Sequence, residues 1–286
     1  MEKSEAEQTQ PGVDNVTLGA HGASLPLGII TTDASYVKGF SIRPWRMKEE
    51  KELSRHKKDS QGISLAQYVS MVLGTMCSSI GTHNFDAPGY ADNPAARRVI
   101  VSQMYMGDVF YIYAYLRREA IGNEMGVKIT CRRCNKDYDY VADLGSIEVR
   151  TAETLEQMCW DYKLKHPITI RGKTIHTFRM APPRWSAMES IAGNPSEGVA
   201  KEVTILASIT GLNGESNPVM LVPAEIQELS KYDIEKVTSE IDNHYLGPKM
   251  ALELDGSHAC PHCDHRDKRL LPIDWRYDSF FSTSSQ

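Results

Sequence analysis

Two pairs of cysteines constrain the fold of this chain more than any other feature of its sequence. Each pair has the spacing C-x-x-C, Cys131 with Cys134 and Cys260 with Cys263. A tight turn with this spacing, called a knuckle, aims two thiolates at one metal ion, and two knuckles complete a tetrahedral four-sulfur shell of the kind that binds zinc. The sequence therefore predicts one structural Zn²⁺ held by all four cysteines.

The residues that flank the cysteines fit this prediction. Each pair follows a strand-like run, at 127–130 and at 250–254, and another strand-like run comes after it. A knuckle often needs left-handed backbone just past its second cysteine, a position where glycine is usual. Asn135 and Asp264 stand there, and they are the next most tolerant residue types.

The distance between the pairs leaves alternatives open. The 125 residues between them exceed the length of a compact zinc ribbon, so the intervening stretch is interpreted as an insertion that the metal closes off. The alternatives are free or oxidised thiols, a redox pair, for which neither motif has the βαβ context, or separate sites that recruit histidines. Only the second pair has histidines nearby, at His258, His262 and His265.

Composition and motifs exclude several classes of protein. With 286 residues, 41% of them hydrophobic, the chain can bury a core without disulfides, and Cys77 and Cys159 are expected to be core residues. A formal charge of −5 argues against a surface that binds nucleic acid throughout. No apolar run is long enough to span a membrane, and we expect a protein made in the cytoplasm. Because nucleophile, phosphate-binding and dinucleotide motifs are missing and four thiolates close a metal shell, no enzyme is predicted.

Helical patterns dominate the region before the first knuckle. Ser64 is placed as an N-cap, and apolar residues follow it at helical spacing as far as Ile80. Pro94 suits the first turn of a further helical pattern, which runs with interruptions to Gly122. The aromatic residues of this pattern are expected to pack in a core or a subunit contact rather than to stack on bases: Phe110, Tyr111, Tyr113 and Tyr115.

Between the knuckles, strand and helix patterns alternate. A β-hairpin over 168–178 is predicted to turn at 171–173, and a short helix over 151–162 contains Cys159. Further helices are predicted at 184–191, 200–209 and 224–245. Arginine clusters at 97–98, 117–118, 132–133 and 266–269 are interpreted as solvated faces or interface salt bridges rather than a nucleic-acid surface.

These patterns predict an α+β fold with a helical N-terminal portion, a discontinuous zinc-ribbon element built from the two knuckles, and an insert of one β-hairpin plus helices. The predicted divisions are a flexible arm at 1–24, a mainly helical region at 25–125, the zinc-ribbon element at 126–150 and 250–282, and the insert at 151–249.

The order of several short motifs resembles that of a known family. Those motifs are the helix with Asp108, Leu116-Arg117-Arg118 and Gly122; the first knuckle; Val141-Ala-Asp143-Leu144 with Ile147-Glu-Val149; the second knuckle, Cys260-Pro-x-Cys263; and Leu270-Leu-Pro-Ile with Phe280-Phe281. In this order they resemble the baseplate-hub family of contractile-tailed bacteriophages. The knuckles depart from the family in lacking the usual glycine after the second cysteine.

The resemblance implies a structural or assembly role at the baseplate hub or tail tip, without catalysis. It also implies a location in the virion tail and an oligomeric assembly with other tail and baseplate proteins as partners. A zinc-ribbon nucleic-acid-binding regulatory protein is the alternative, and the negative net charge favours the baseplate role.

Overall fold

The computed structural model of the chain describes residues 13–30, 36–59, 64–191, 196–215, 220–249, 251–273 and 280–281. Within these ranges the α-helices are α1 (Leu18–His21), α2 (Met47–Asp59), α3 (Leu65–Met76), α4 (Pro94–Gln103), α5 (Met106–Ile121), α6 (Leu155–Met158), α7 (Trp185–Ser190), α8 (Glu197–Ser208), α9 (Pro223–Ile226) and α10 (Lys231–Asn243). The strands are β1 (Val13–Thr17), β2 (Ser24–Ile30), β3 (Tyr36–Ile42), β4 (Cys77–Ile80), β5 (His83–Asn84), β6 (Glu124–Thr130), β7 (Asp137–Asp143), β8 (Glu148–Ala152), β9 (Trp160–Ile170), β10 (Lys173–Met180), β11 (Ile209–Leu212), β12 (Gly247–Pro248), β13 (Ala251–Ala259) and β14 (Arg266–Pro272).

The strands form small antiparallel sheets, so the fold is mixed α and β. Their strand orders are β2-β3-β4-β5, β1-β8-β12, β11-β10-β9, β6-β7 and β13-β14. Along the part of the chain that the structure describes, none of the helices combines the length and apolar character needed to cross a membrane.

Helix α3 begins as the sequence predicts but ends earlier. The Ser64 hydroxyl accepts a hydrogen bond from Gln67 N, and the Gln67 side chain accepts one from Ser64 N, which forms a capping box. The helix ends at Met76 because Cys77 has extended backbone and begins strand β4, which pairs with β3. The prediction of helical periodicity as far as Ile80 is therefore wrong for its last turn. Cys77 itself is fully buried, as predicted.

Helices α4 and α5 also follow the predicted pattern. Pro94 occupies the first turn of α4, and Gly122 ends α5 with a φ of 113°. The aromatic residues of α5 pack in the main core as predicted: Phe110, Tyr111 and Tyr113 are buried, and the half-buried Tyr115 packs against them. This core joins α3 and α5 to the sheet β2-β3-β4-β5, so the region predicted as mainly helical also contains a sheet.

The predicted arm at 1–24 needs a correction. Residues 1–12 lie outside the described residues, but β1 and α1 form part of the fold. Strand β1 pairs with β8 from Val13 opposite Ala152 to Thr17 opposite Glu148, and Leu18 is fully buried. The pairing partner of β1 stands more than 130 positions along the chain, so local periodicity in residues 13–24 gives no sign of it.

The stretch between the knuckles contains a second core. Strands β9, β10 and β11 pack against α8, α9 and α10 around side chains that include Phe178 and Val237. The β9–β10 hairpin turns where predicted, because Arg171 and Gly172 both have positive φ, at 50° and 76°. The helix predicted over 151–162 is only α6, and Cys159 follows it with extended backbone.

The predicted domain boundaries stay a prediction. Strands β8 and β12 lie at the two ends of the predicted insert and pair with each other in the sheet that contains β1. In the predicted zinc-ribbon element, residues 250, 274–279 and 282 lie outside the described residues.

Candidate metal centre

The first knuckle connects β6 and β7, which pair antiparallel from Glu124 opposite Asp143 to Thr130 opposite Asp137. At its base Cys131 N donates a hydrogen bond to the Lys136 carbonyl oxygen at 3.0 Å, and Asn135 N donates to the Cys131 carbonyl oxygen at 2.9 Å. Asn135 has a φ of 55°, the left-handed backbone that the sequence predicts at this position.

The second knuckle repeats this arrangement between β13 and β14. Cys260 N donates to the His265 carbonyl oxygen at 2.8 Å, and Asp264 N donates to the Cys260 carbonyl oxygen at 2.9 Å. Asp264 has a φ of 56°. The two turns are therefore matching local structures built from unlike sequences.

The structure brings the two knuckles together. Cys131 Sγ lies 3.7 Å from Cys263 Sγ, and Cys134 Sγ lies 3.8 Å from Cys260 Sγ. All four sulfur atoms lie within 4.8 Å of one another. Cys131 and Cys260 are buried, whereas Cys134 and Cys263 are half-buried. The separations are far longer than the bond of about 2.05 Å in a disulfide, so none of the four residues is disulfide-bonded.

The sulfur separations fit a tetrahedral zinc shell. With Zn–S bonds of about 2.3 Å, the ligands of a regular tetrahedron stand about 3.8 Å apart. The two measured pairs, at 3.7 and 3.8 Å, match this spacing. The donor set is also that of structural zinc, because soft thiolates favour Zn²⁺ over harder divalent ions.

The nearby histidines have other contacts. His262 Nε2 lies 3.2 Å from the Asp137 carbonyl oxygen, and His258 contacts the Ser257 hydroxyl and the Tyr140 ring. Across the described ranges, the four cysteines are the one group of His, Cys, Asp and Glu side chains close enough together to share an ion. Among the described residues, no cluster that includes a histidine supports the alternative of separate metal sites.

The pKa values of Cys131 and Cys263 are shifted in opposite directions. Hydrogen bonds from the backbone N–H groups of Cys134 and Arg133 lower the pKa of Cys131 to about 6. A backbone N–H of His265 lowers the pKa of Cys263, but burial and the other cysteine sulfurs raise it to a net value of about 12. Four thiolates this close repel one another, so full deprotonation requires a cation between them.

A side chain from one hairpin also bridges to the other. Arg269 of β14 donates from Nη2 to the Thr130 carbonyl oxygen at 2.8 Å, and its Nε lies 3.1 Å from the carboxylate of the buried Asp267. Arg269 belongs to one of the arginine clusters that the sequence assigns to solvated faces or interfaces. Its actual role is to bind the end of β6 to β14.

A second arginine cluster also serves the fold. Arg117 is buried and donates to the carbonyl oxygens of Phe280 at 2.8 Å and Glu124 at 2.6 Å. Its neighbour Arg118 donates to the carbonyl oxygen of Leu18 at 2.5 Å. By contrast, Arg132 and Arg133 at the first knuckle are exposed. Two of the basic clusters thus hold parts of the chain together, which the sequence does not reveal.

A serine, a histidine and an aspartate also meet near the start of α10, but not as a catalytic triad. Ser230 Oγ and Asp233 Oδ2 both approach the same imidazole nitrogen, Nδ1 of His166, at 3.1 and 3.4 Å. A triad needs the hydroxyl and the carboxylate at opposite nitrogens. Asp233 instead accepts hydrogen bonds from Lys165 N and Tyr162 Oη, and Ser230 caps α10. The cluster therefore connects α10 to β9.

Asp108 is a buried carboxylate that sequence reasoning did not interpret. Its two oxygens accept hydrogen bonds from Leu27 N at 2.8 Å and Gly28 N at 3.0 Å, which binds β2 to α5. Burial raises the pKa of Asp108 to about 7, against the lowering effect of these two bonds. In the sequence, this buried role could have been inferred from the position of Asp108 as a single acidic residue within an apolar and aromatic helical run.

Comparison with known proteins gives a family for the chain. Residues 29–273 match the family described as T4 bacteriophage base plate protein. No curated protein and no solved structure matches the chain. The match begins in β2 and ends just after β14, so it includes both knuckles and everything between them. This chain therefore belongs to the T4 bacteriophage base plate protein family.

Proposed function

We propose that this chain is a structural or assembly subunit at the hub or tip of the phage tail, and that one structural zinc ion closes its fold. The ligands are Cys131, Cys134, Cys260 and Cys263. The observation that carries the zinc proposal is the convergence of four sulfurs within 4.8 Å from two knuckles far apart in the sequence.

The proposed ion has a structural role. Four thiolates fill the tetrahedral shell, so no position is left for a water or substrate molecule that a catalytic zinc would activate. The chain's own residues form the two turns, hold the four sulfurs within 4.8 Å of one another and donate a backbone hydrogen bond from Arg133 N to Cys131 Sγ. We accordingly infer a non-catalytic protein.

Membership of the baseplate family makes other phage tail proteins the partners and the virion tail the location. The finer assignment to the hub or tail tip is supported by the order of motifs along the chain, from the helix with Asp108 to Phe280-Phe281. Two of those motifs have packing roles, since Arg117 donates to the Phe280 carbonyl oxygen and Phe280 stacks on Tyr113. We propose that the subunit is made in the host cytoplasm and works within an oligomeric assembly.

The alternative, a nucleic-acid-binding zinc ribbon, has less support. The formal charge is −5, and Arg117, Arg118 and Arg269 direct their guanidinium groups at carbonyl oxygens of the chain itself. A nucleic-acid binder loses affinity steeply between 50 and 200 mM salt. Contacts with tail proteins, in contrast, are expected to persist over that range, which a titration of each partner at several salt concentrations measures.

The metal content of the purified full-length protein tests the zinc proposal. Elemental mass spectrometry is expected to find one zinc per chain in the parent and none in the Cys131→Ser, Cys260→Ser double variant. The matched control is Cys77→Ser with Cys159→Ser, which changes two cysteines outside the cluster and is expected to keep one zinc. Circular dichroism of each protein reports how much of the fold depends on the ion.

Two results would overturn the proposal. Two metal ions per chain indicate separate sites, one at each knuckle. A double variant that keeps its metal and its fold shows that the four sulfurs do not share an ion. Failure to incorporate into phage tails, measured on the zinc-loaded parent, would separately contradict the assignment to the hub or tail tip.

A further inference from the structure

A groove lies beside the second core, away from the cysteines. It has a volume of ≈ 930 Å³ and is lined by α6, α7 and α8 and by the ends of β10 and β11. We call it the junction groove, and its apolar wall includes Ile30, Val203, Leu206, Ile209 and Leu221. This volume can hold several side chains of a bound segment.

Large apolar side chains are exposed at and beside the junction groove. Leu155 and Met220 line it and are 42% and 89% exposed, and Val199, one helical turn before Val203 on α8, is 49% exposed. Large apolar side chains that cluster in this way at the edge of a groove mark a surface for another protein chain.

Two arginines add a positive charge to this apolar surface. Arg179 and Arg184 line the groove, whereas Glu156 is the one acidic residue among its described lining residues. The Arg184 guanidinium lies over the Tyr105 ring, 4.7 Å from its centroid, and its Nη1 donates to the Gln103 carbonyl oxygen. Arg179 is already paired with an acid, since its Nη1 lies 3.3 Å from both carboxylate oxygens of Asp161. Stacking on an aromatic ring leaves edge N–H groups of a guanidinium available for a carboxylate. The charge of Arg184, for which the described residues provide no acidic partner, therefore complements an acidic side chain.

We propose that the junction groove binds a segment of another tail protein that presents apolar side chains together with an Asp or Glu carboxylate. The apolar side chains fill the groove, and the carboxylate pairs with Arg184. The inference rests on the proposed function, since it names the chemistry of a partner within the assembly. A polypeptide fits better than a small ligand because the apolar surface continues beyond the groove onto its rim.

Site-specific photo-cross-linking in the full chain tests the proposal. A photoreactive phenylalanine analogue replaces Leu155 at the mouth of the groove or, as a control, Val99, which is 51% exposed on α4. After co-assembly with the other tail proteins of the same phage, mass spectrometry identifies the linked peptides. The expected result is one peptide of another tail protein, with apolar residues and at least one Asp or Glu, linked at Leu155 and not at Val99.

Charge variants make the test specific. The Arg184→Gln variant is expected to reduce cross-linking at Leu155 at least fivefold, whereas Arg184→Lys keeps most of it. The matched control, Arg132→Gln with Arg133→Gln, removes two exposed charges at the knuckle and is expected to leave cross-linking unchanged. Equal circular dichroism and zinc content show that each variant remains folded.

Three outcomes would overturn the proposal. They are no cross-link at Leu155, a cross-link to a second copy of this chain, and a cross-link that does not respond to the arginine variants. Each leaves the proposed function standing if the same protein still enters the tail. A protein that fails to enter the tail at all, with its zinc bound, contradicts the proposed function instead.

Discussion

The two knuckle hairpins and the core between them are stabilised in different ways. The hairpins β6–β7 and β13–β14 are two-stranded sheets with largely exposed strands, and they meet at four sulfur atoms. The intervening core has a three-stranded sheet covered by α8, α9 and α10, with buried apolar side chains from each of these strands and helices. A two-stranded sheet is marginal in water, whereas a sheet packed on helices supports itself by burying apolar area.

The difference gives the proposed metal ion a physical role in this fold. In the proposed function the metal joins two hairpins that each contribute only a few buried side chains, whereas apolar packing stabilises the second core. Removing the ion and removing a core side chain should therefore affect different halves of the molecule. The following experiments test that division, from the largest expected effect to the smallest.

Metal removal is expected to have the largest effect. Binding of structural zinc contributes on the order of 10 kcal/mol or more to folding of small metal-stabilised domains. After chelation at neutral pH, hydrogen exchange of β6, β7, β13 and β14 should accelerate by at least a hundredfold, while β10 keeps its protection. Re-addition of zinc should reverse the change. If β10 exchanged as fast as the hairpins, the two regions would form one cooperative unit.

Phe178→Ala should instead destabilise the second core and leave the zinc site intact. Phe178 is fully buried in the second core, and truncating such a phenylalanine costs about 3–5 kcal/mol of unfolding free energy. Denaturant unfolding followed by hydrogen exchange should show loss of protection in β9, β10 and α10. The zinc content should stay at one ion per chain. Loss of zinc in this variant would show that the core positions the knuckles.

Asp233→Ala should weaken the same core by a smaller amount, about 2–3 kcal/mol, because the N–H groups of Lys165 and His166 lose a charged acceptor. Burial raises the pKa of Asp233, but the hydrogen bonds from Ser230 and its other donors outweigh burial and lower it below the ordinary value. The stabilisation is thus present above the unfolded-state pKa, near 4, and is lost as the pH falls through the lower folded-state pKa.

Unfolding free energies of parent and Asp233→Ala protein between pH 7 and pH 3 measure this difference. The gap between the two proteins should be constant near neutrality and should narrow towards pH 3. Asp242→Ala is a control on the same helix, since burial raises the pKa of Asp242 instead. A gap that widened on acidification would contradict the role given to Asp233.

Asn135→Ala is expected to have the smallest effect. The φ of 55° at this position costs an alanine roughly 1 kcal/mol, so zinc affinity should fall about fivefold. Asn135→Gly, which has no such cost, should match or exceed the parent. Competition with a chromophoric chelator measures both affinities. An alanine variant as tight as the glycine variant would show that the turn does not limit metal binding.

Sequence reasoning succeeded where the information is local. The capping box at Ser64, the helix start at Pro94 and the turn at 171–173 each depend on residue types within a few positions. The spacing of the cysteines and the residue after each pair likewise predict both knuckles. The structure then brings together all four cysteines named as metal ligands, although the ion itself stays a prediction.

Sequence reasoning failed where a distant part of the chain determines the local structure or the contacts of a residue. Strand β1 exists because β8 pairs with it, and Cys77 leaves the helical pattern because β3 pairs with β4. Asp233 looks like an ordinary first-turn acid of a helix, yet it also accepts hydrogen bonds from the backbone of β9. Arg117 reads as part of a basic cluster, but its partners include the carbonyl oxygen of Phe280, 163 positions away.

The separation of the knuckles along the chain also means that the first knuckle is synthesised well before the second. Cys134 and Cys260 are 126 positions apart. At an elongation rate of about 5–20 residues per second, the second knuckle leaves the ribosome roughly 6–25 s after the first. During that interval the nascent chain carries half a site, whose two thiols are open to oxidation and to other metals, while the residues of the second core are already available to fold. The proposed zinc ion would then bind late, because all four ligands are present only once synthesis has passed Cys263.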